Sequence, residues 1–205
     1  MKSLKGSGSP FPDNTTANIA SLHHFEDIDE LSVFLPEDVR LTLLECASFS
    51  CQSAALNLGE IQFNFTHVNR HLHAVGDKQS DFLSFSMILQ GNGQHGIENN
   101  RLVTEDYLFG FDAHRQADLV FPGGCVYCAV YIRPNIFEVY TQATERLDLN
   151  TKFLATNYVD ISETFLPLRA YLKHIYHLLM QQSPLLKQPE FQQIILQDFL
   201  PLFIS

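Results

Sequence analysis

The sequence predicts a mainly β fold with C-terminal helices. Over residues 40–133, short apolar segments alternate with polar residues and are separated by turn residues. After that the apolar residues recur at the spacing of helices. The 205 residues, 45% of them apolar, suffice for one domain with a helical appendage. We therefore expect a flexible arm and lead-in over 1–39, a β domain over 40–133 and a helical segment over 134–205.

The N-terminal arm is predicted to be flexible because Gly and Pro cluster between residues 6 and 12. Residues 26–37 are acidic with scattered apolar residues, which is typical of either a helix or an irregular lead-in. The arm lacks the apolar segment of a secretory signal. No apolar run approaches the ~20 residues that span a bilayer. We expect a cytoplasmic protein without a membrane partner.

The strands are predicted from a period of two. In residues 61–67, Phe63, Phe65 and His67 share one face and polar residues form the other. Residues 82–90 repeat this alternation, with apolar side chains in every second position. Such a pattern is typical of half-buried strands. We interpret the apolar face as the one that points into the domain.

Turn residues divide the best segment into short strands. Asn99 and Asn100 suit a type I′ hairpin, and Pro122–Gly124 precedes a long apolar strand over residues 125–132. At least five strands fit into roughly fifty residues, and the earlier segments bring the total to about eight, the number in a jelly roll. The spacing predicts an antiparallel sandwich or barrel.

Two or three helices are predicted after the strands. Pro134 suits a first helical turn, a second helix is expected over residues 160–182, and a third from about Pro189. Pro167 implies that the second helix is kinked or starts later. Its apolar residues are spaced like a two-per-heptad seam and fit either dimerisation or packing on the β domain. The seam comprises Ile161, Phe165, Leu168, Leu172, Ile175 and Leu179.

The charge argues against direct contact with nucleic acid. The formal net charge is −10, and the 13 basic residues are spread thinly. A DNA-binding protein needs clustered Lys and Arg to neutralise phosphates. We expect this chain by itself to hold neither DNA nor an anionic membrane.

The four cysteines are predicted to be reduced thiols. Cys125 and Cys128 have the two-residue gap of a zinc knuckle. They lie, however, in a segment that reads as a strand, where residues three apart point to opposite faces. We therefore expect no zinc site at this pair, and no cofactor in the chain.

Residues 91–134, GNGQHGIENNRLVTEDYLFGFDAHRQADLVFPGGCVYCAVYIRP, resemble the N-terminal ligand-binding module of AraC/XylS-type transcription regulators. The shared features are the glycine turn, the short hairpin, the Pro-Gly turn and a long strand that ends in Arg-Pro before a helix. Glu105–Asp106 departs from the Gly-Asp turn that is frequent in the family. The order of elements extends the resemblance to residues 40–205.

This resemblance implies a cupin-like jelly-roll β-barrel that binds a small-molecule effector, followed by helices that mediate dimerisation. It implies a homodimer that contacts DNA only through a C-terminal domain with two helix-turn-helix motifs, absent from this chain. The dimerisation residues would come from the helical seam. These dimerisation residues are Phe165, Leu168, Leu172, Ile175 and Leu179.

Aromatic and apolar residues on the faces taken as inward are candidates for the ligand site, since pockets are mostly apolar with a few polar anchors. His67, His95 and Tyr127 would be the anchors. The full candidate set is Phe63, Phe65, His67, Phe85, Met87, His95, Phe109, Phe111 and Tyr127.

A metal site is the main alternative. His71 and His73 form the His-x-His pair that cupin enzymes use, and Asp77, His95 and His114 would add ligands. The expected Glu is missing, and the segment is polar enough for a surface loop. We expect that the chain binds no metal and has no enzymatic activity. A metal-dependent cupin enzyme and a stand-alone cupin binding module stay open as alternatives.

Overall fold

Two antiparallel sheets and a layer of helices make up the protein. The structure is a computed structural model and describes residues 19–35, 38–78, 81–161 and 165–204. The arm predicted over the first 18 residues lies outside these residues. The strands are β1 (Ala20–Phe25), β2 (Arg40–Leu43), β3 (Cys51–Asn57), β4 (Ile61–Val68), β5 (Leu72–Gly76), β6 (Leu83–Gln90), β7 (Gly96–Glu98), β8 (Arg101–Val103), β9 (Tyr107–Phe109), β10 (Ala117–Phe121), β11 (Cys125–Ile132) and β12 (Tyr158–Asp160). The helices are α1 (Ile28–Phe34), α2 (Pro134–Ala143), α3 (Thr151–Thr156), α4 (Leu166–Met180) and α5 (Pro189–Ile204), with a 3₁₀ turn over Pro184–Lys187.

The larger sheet has seven strands in the order β1-β3-β4-β11-β6-β9-β12, and the smaller has five in the order β2-β5-β10-β7-β8. The prediction of a mainly β fold with C-terminal helices is confirmed. A closed barrel is not formed: within the described ranges the two sheets remain separate and face each other. The cavity described below lies between them.

The hairpin predicted at Asn99 and Asn100 is confirmed. Both residues have positive φ, 48° and 64°, and they join β7 to β8. A type I′ turn needs this conformation at both central positions, and Asn tolerates it better than most residues. The turn directly follows Glu98, the last residue of β7.

The segment around His73 is a strand, whereas the sequence predicts a surface loop there. β5 pairs with β2 on one side and with β10 on the other. Leu72 and Gly76 are buried at its two ends. The pairing on both sides satisfies the backbone N–H and C=O groups of this polar segment. The polarity of its side chains does not indicate that pairing.

Part of the predicted lead-in belongs to the folded sheets. β1 forms the edge of the larger sheet by pairing with β3. α1 follows, and the Asp27 side chain caps it by accepting a hydrogen bond from the Asp29 backbone N–H at 2.8 Å. Leu31 on α1 is 4% exposed and packs between the sheets. Residues 20–34 therefore contribute to the β domain itself.

The helices begin where their prolines allow. α2 and α5 begin at Pro134 and Pro189 as predicted. The helix predicted over residues 160–182 starts later, at Leu166, so that Pro167 lies in its first turn, where no backbone N–H is needed. Residues 158–160 form β12 instead, because they pair with β9 at the edge of the larger sheet. None of the helices within the described ranges has the length and apolarity to cross a membrane.

The largest core lies between the helices and the larger sheet. Phe63 on β4 meets Phe199 on α5 edge to face, with ring centres 5.0 Å apart, and Phe65 lies 5.5 Å from Tyr176 on α4. The helical seam packs here, within the chain, rather than on the surface. Five of its residues are only 1–2% exposed in the single chain: Ile161, Leu168, Leu172, Ile175 and Leu179. Phe165 packs at the edge of the same core. Homodimerisation, and the part of these residues in it, stay predictions.

Candidate functional site

A cavity of about 220 Å³ lies between the two sheets. Its floor is the larger sheet, and its roof is the smaller sheet together with α1. This volume equals that of about seven water molecules, at ~30 Å³ each in the liquid. Cavities between layers that are mostly apolar and carry a few polar groups are typical small-molecule sites.

The floor is polar because the strands of the larger sheet turn their polar faces to the cavity. Asn64 on β4, Ala129 on β11 and Ser86 on β6 lie side by side in one cross-strand row. Ala129 leaves the middle of the floor low, since its side chain is a single methyl group. Tyr127 and Tyr131 flank it on the same face of β11. The polar and small residues of the floor are Ser53, Asn64, Thr66, Ser84, Ser86, Tyr127, Ala129 and Tyr131.

The floor tyrosines are neutral hydrogen-bonding groups. The Tyr127 hydroxyl donates to Ser86 Oγ at 2.6 Å. Burial raises the pKa of Tyr127 well above its ordinary value and raises the pKa of Tyr131 to about 12. Both phenols therefore keep their protons at neutral pH and act as donors or acceptors without charge.

The roof and one end of the cavity are apolar. Leu41, Leu72 and Phe121 come from the smaller sheet, and Leu31 and Phe34 come from α1. Phe121 also packs edge to face on Tyr127, with ring centres 4.7 Å apart. A ligand here would contact carbon on one side and hydrogen-bonding groups on the other.

The opposite end of the cavity is polar and contains Lys78. The Lys78 ammonium donates to the carbonyl oxygens of Gly110 at 2.8 Å and Asp112 at 2.9 Å. Ser84 Oγ donates to the same Gly110 oxygen at 2.7 Å. Desolvation lowers the pKa of Lys78, while attraction to Glu98 and Asp112 opposes that change.

Glu98 lines the cavity and is 2% exposed. Asn157 Nδ2 lies 3.1 Å from each of its carboxylate oxygens, and Asn99 Nδ2 donates to one of them at 2.7 Å. The Tyr158 hydroxyl also donates to the carboxylate. Burial and the neighbouring Glu98 raise the pKa of Tyr158, so this phenol keeps its proton. The carboxylate is thus held by several donors, as a buried charge requires.

Asn157 connects the Glu98 network to the backbone. It lies in the left-handed region, with φ 63°, at the C-terminal end of α3. Its side-chain oxygen accepts a hydrogen bond from the Asp112 backbone N–H at 2.8 Å. The network therefore joins β7 of the smaller sheet to β12 at the edge of the larger sheet, shortly before α4.

The structure places the nine predicted ligand residues at different sites. Phe109 and Tyr127 line the cavity. His67 is partly exposed, His95 is exposed, and neither belongs to the cavity lining. The remaining five lie in the core between the larger sheet and the helices: Phe63, Phe65, Phe85, Met87 and Phe111.

The predicted set omits the polar floor, apart from Tyr127, and both charged groups at the polar end. The alternation of Asn64 and Ser86 with apolar neighbours is visible in the sequence and marks the correct strand faces. Lys78 and Glu98 carry no such signal, because Lys78 lies in the loop after β5 and Glu98 ends a three-residue strand.

The histidines proposed as metal ligands bind separate carboxylates. His71 pairs with Glu45 through Nδ1, and this hydrogen bond lowers the pKa of Glu45. His73 Nε2 lies 2.7 Å from Asp118 Oδ1. In the part of the chain that the structure describes, no three His, Cys, Asp or Glu side chains converge as a metal site would require.

The cysteine pair on β11 points to opposite faces of the strand, as the alternation predicts. Cys128 packs in the helix-side core, and Cys125 packs in a cluster between the sheets, so the two thiols point to opposite faces. Both are free thiols. Cys125 donates to the Pro122 carbonyl at 2.9 Å, which leaves no common ligand position.

Comparisons with known proteins agree with the fold. No family model and no curated protein matches the sequence. Among solved structures, the AraC-like transcriptional activator CuxR matches with a TM-score of 0.56 and 10% sequence identity, covering 90% of this chain and 69% of that one. A conserved protein of unknown function, PA5104 from Pseudomonas aeruginosa PAO1, matches with a TM-score of 0.30 and 10% identity over 56% of this chain and 57% of that one. The first comparison shows a shared fold, and the second is too distant to support an argument.

Proposed function

We propose that this chain is the effector-sensing domain of an AraC-type transcription regulator and that it binds a small molecule between its two sheets. The cavity carries this proposal, since it combines a hydrogen-bonding floor with an apolar roof. The shared fold with CuxR over 90% of the chain supports the regulatory part. In this proposal the two sheets are a cupin-like jelly roll, the protein is a cytoplasmic homodimer without enzymatic activity, and a separate domain binds DNA.

The arrangement of β4 offers a route for the signal. Asn64 and Thr66 face the cavity, while Phe63 and Phe65 on the same strand face α4 and α5. A ligand that prefers one position of this strand would also prefer one packing of the helices. A sensor needs such a differential affinity. The side chains of β4 supply it, because they alternate between the cavity and the helices.

Ligand screening with a cavity-blocking variant tests the binding part. A library of small molecules is screened for thermal stabilisation of the chain, and hits are measured by calorimetry. In Ala129→Leu the added side chain occupies the middle of the floor, so we expect hits to lose at least about tenfold in affinity, or ~1.4 kcal/mol. Ala170→Leu, the same change at an exposed position of α4, should leave binding unchanged. Hits that bind Ala129→Leu as well as the wild type would contradict binding at this site.

Two measurements test the regulatory part. Sedimentation at high micromolar concentration should show a dimer, and a monomer would count against homodimerisation. A reading frame that continues past residue 205 into two helix-turn-helix patterns would support a regulator. Metal analysis after purification without chelator addresses the alternative enzyme, because stoichiometric metal that is lost in His73→Ala would favour it.

A further inference from the structure

We infer that the cavity binds a compact organic acid, with its carboxylate at Lys78 and its apolar body under the roof. This inference rests on the proposed function, since it names the ligand class of the same cavity.

Lys78 supplies the attraction for an anion. It is the one cation among the described residues that line the cavity. Two of its three N–H groups donate to carbonyl oxygens, and no described carboxylate lies within 4.0 Å of its ammonium. A partly buried ammonium is stabilised by an anionic partner, because water screens it less than it would screen a surface lysine.

The other charges near the cavity do not substitute for a ligand. The Glu98 carboxylate is already bound by Asn157, Asn99 and Tyr158. Asp77 also lines the cavity but is exposed, and its Oδ1 accepts from Gln116 Nε2 at 3.0 Å. The donor capacity that remains at the polar end therefore belongs to Lys78, although Glu98 and Asp112 also attract its ammonium.

A neighbouring phenol completes a place for a carboxylate beside Lys78. Ser84 Oγ and Lys78 Nζ donate to the same carbonyl oxygen, so the two groups lie close together. Tyr131 lies opposite Ser84 in the register of β11 with β6. Its phenol keeps its proton at neutral pH and is a neutral donor. A carboxylate accepts several hydrogen bonds, which the Lys78 ammonium and the Tyr131 phenol can donate, since the single Ser84 proton already goes to Gly110.

The rest of the cavity determines the body of the ligand. Leu41, Leu72 and Phe121 at the far end favour a carbon skeleton. Asn64 and Ser86 on the floor offer hydrogen bonds to a hydroxyl or carbonyl group between the two ends. The volume of about 220 Å³ accommodates a skeleton of one ring.

Matched acids and amides test the inference. We would measure, by calorimetry at neutral pH, cyclopentane- and cyclohexanecarboxylate, their 4-hydroxy or 3-hydroxy derivatives, and the corresponding primary amides, which have nearly the same shape. The acids should bind the wild-type chain at least about tenfold more tightly than the amides, because only the acids offer Lys78 a charged acceptor. This comparison needs no variant and is independent of any effect of a substitution on folding.

Variants then locate the carboxylate. Lys78→Met should weaken the acids at least about tenfold and leave the amides unchanged. Lys152→Met, the same change at an exposed lysine of α3, should alter neither. The inference would be overturned if the amides bind as tightly as the acids. It would also be overturned if Lys78→Met leaves the affinity of the acids unchanged.

The two proposals fail in different ways. If neutral compounds from the library bind and Ala129→Leu abolishes their binding, the cavity is a ligand site and the organic-acid inference is wrong. If no compound of either class binds, both the proposed function and the inference are wrong.

Discussion

Asn157 should be one of the most sensitive positions of the fold, although it is a polar residue. It is completely buried, and its amide serves both the Glu98 carboxylate and the Asp112 backbone N–H. Asn157→Gly removes these contacts and keeps the left-handed backbone, since Gly adopts positive φ without strain. It therefore measures the side chain alone.

The expected loss is large. A hydrogen bond to a charged group contributes about 1.5–3 kcal/mol, and a buried N–H left without a partner costs about 1–3 kcal/mol. Together they predict a decrease of about 2.5–6 kcal/mol in the free energy of unfolding. Asn157→Ala should add to the loss, because a left-handed conformation costs a residue with a Cβ about 1–2 kcal/mol.

Urea unfolding followed by far-UV circular dichroism measures these differences by linear extrapolation. Gln182→Gly is the matched control, since Gln182 also has positive φ, 48°, but is exposed. Its free energy of unfolding should stay within about 0.5 kcal/mol of the wild type. A decrease of less than about 1 kcal/mol for Asn157→Gly would refute the view that Glu98 and Asp112 depend on this amide.

Three further outcomes follow from the packing and the charges. Cys46 should be the one thiol that reacts quickly with a disulfide reagent in the native chain, since it is exposed, whereas burial raises the pKa of each of the other three thiols; a second fast thiol would contradict this. Phe199→Ala should lower the free energy of unfolding by about 3–5 kcal/mol in urea titration, because it removes the ring that meets Phe63. His71→Ala should raise the pKa of Glu45 towards its ordinary value, as measured by carboxyl NMR titration, because the hydrogen bond that lowers it is lost; an unchanged titration would refute the pairing.

The pH dependence of the Glu45–His71 pair has a definite sign. The pKa of Glu45 is lower in the folded chain than its ordinary value. Its contribution to stability is therefore present above the unfolded pKa and is lost as pH falls through the folded pKa. Urea titrations of wild type and His71→Ala should accordingly converge towards acidic pH.

Periodicity alone was enough for much of the β domain. The alternation over residues 61–67 and 82–90 predicted β4 and β6 and assigned their residues to the correct faces. It did not show which face pointed to the cavity, because a strand alternates in the same way whatever covers it. The apolar face is covered by helices, so the polar face lines the cavity.

Long-range pairing decided the remaining elements. The His73 segment has the polarity of a loop, but β2 and β10 pair with it on both sides. Asp160 is predicted to begin a helix, but residues 158–160 pair with β9. In both cases the partner strand is distant in sequence, and its backbone outweighs the local preference.

The sequence by itself determined the β-to-helix order, the Asn99–Asn100 turn, the opposed cysteines of β11 and the helix starts at proline, since each depends on residues close together in the chain. Only the tertiary structure decided that the helical seam packs inside the chain and that the floor is polar. It also brought Lys78, Glu98, Gly110 and Asn157 to one end of the cavity. These contacts join strands and loops that are far apart in sequence, and local patterns carry no information about such pairings.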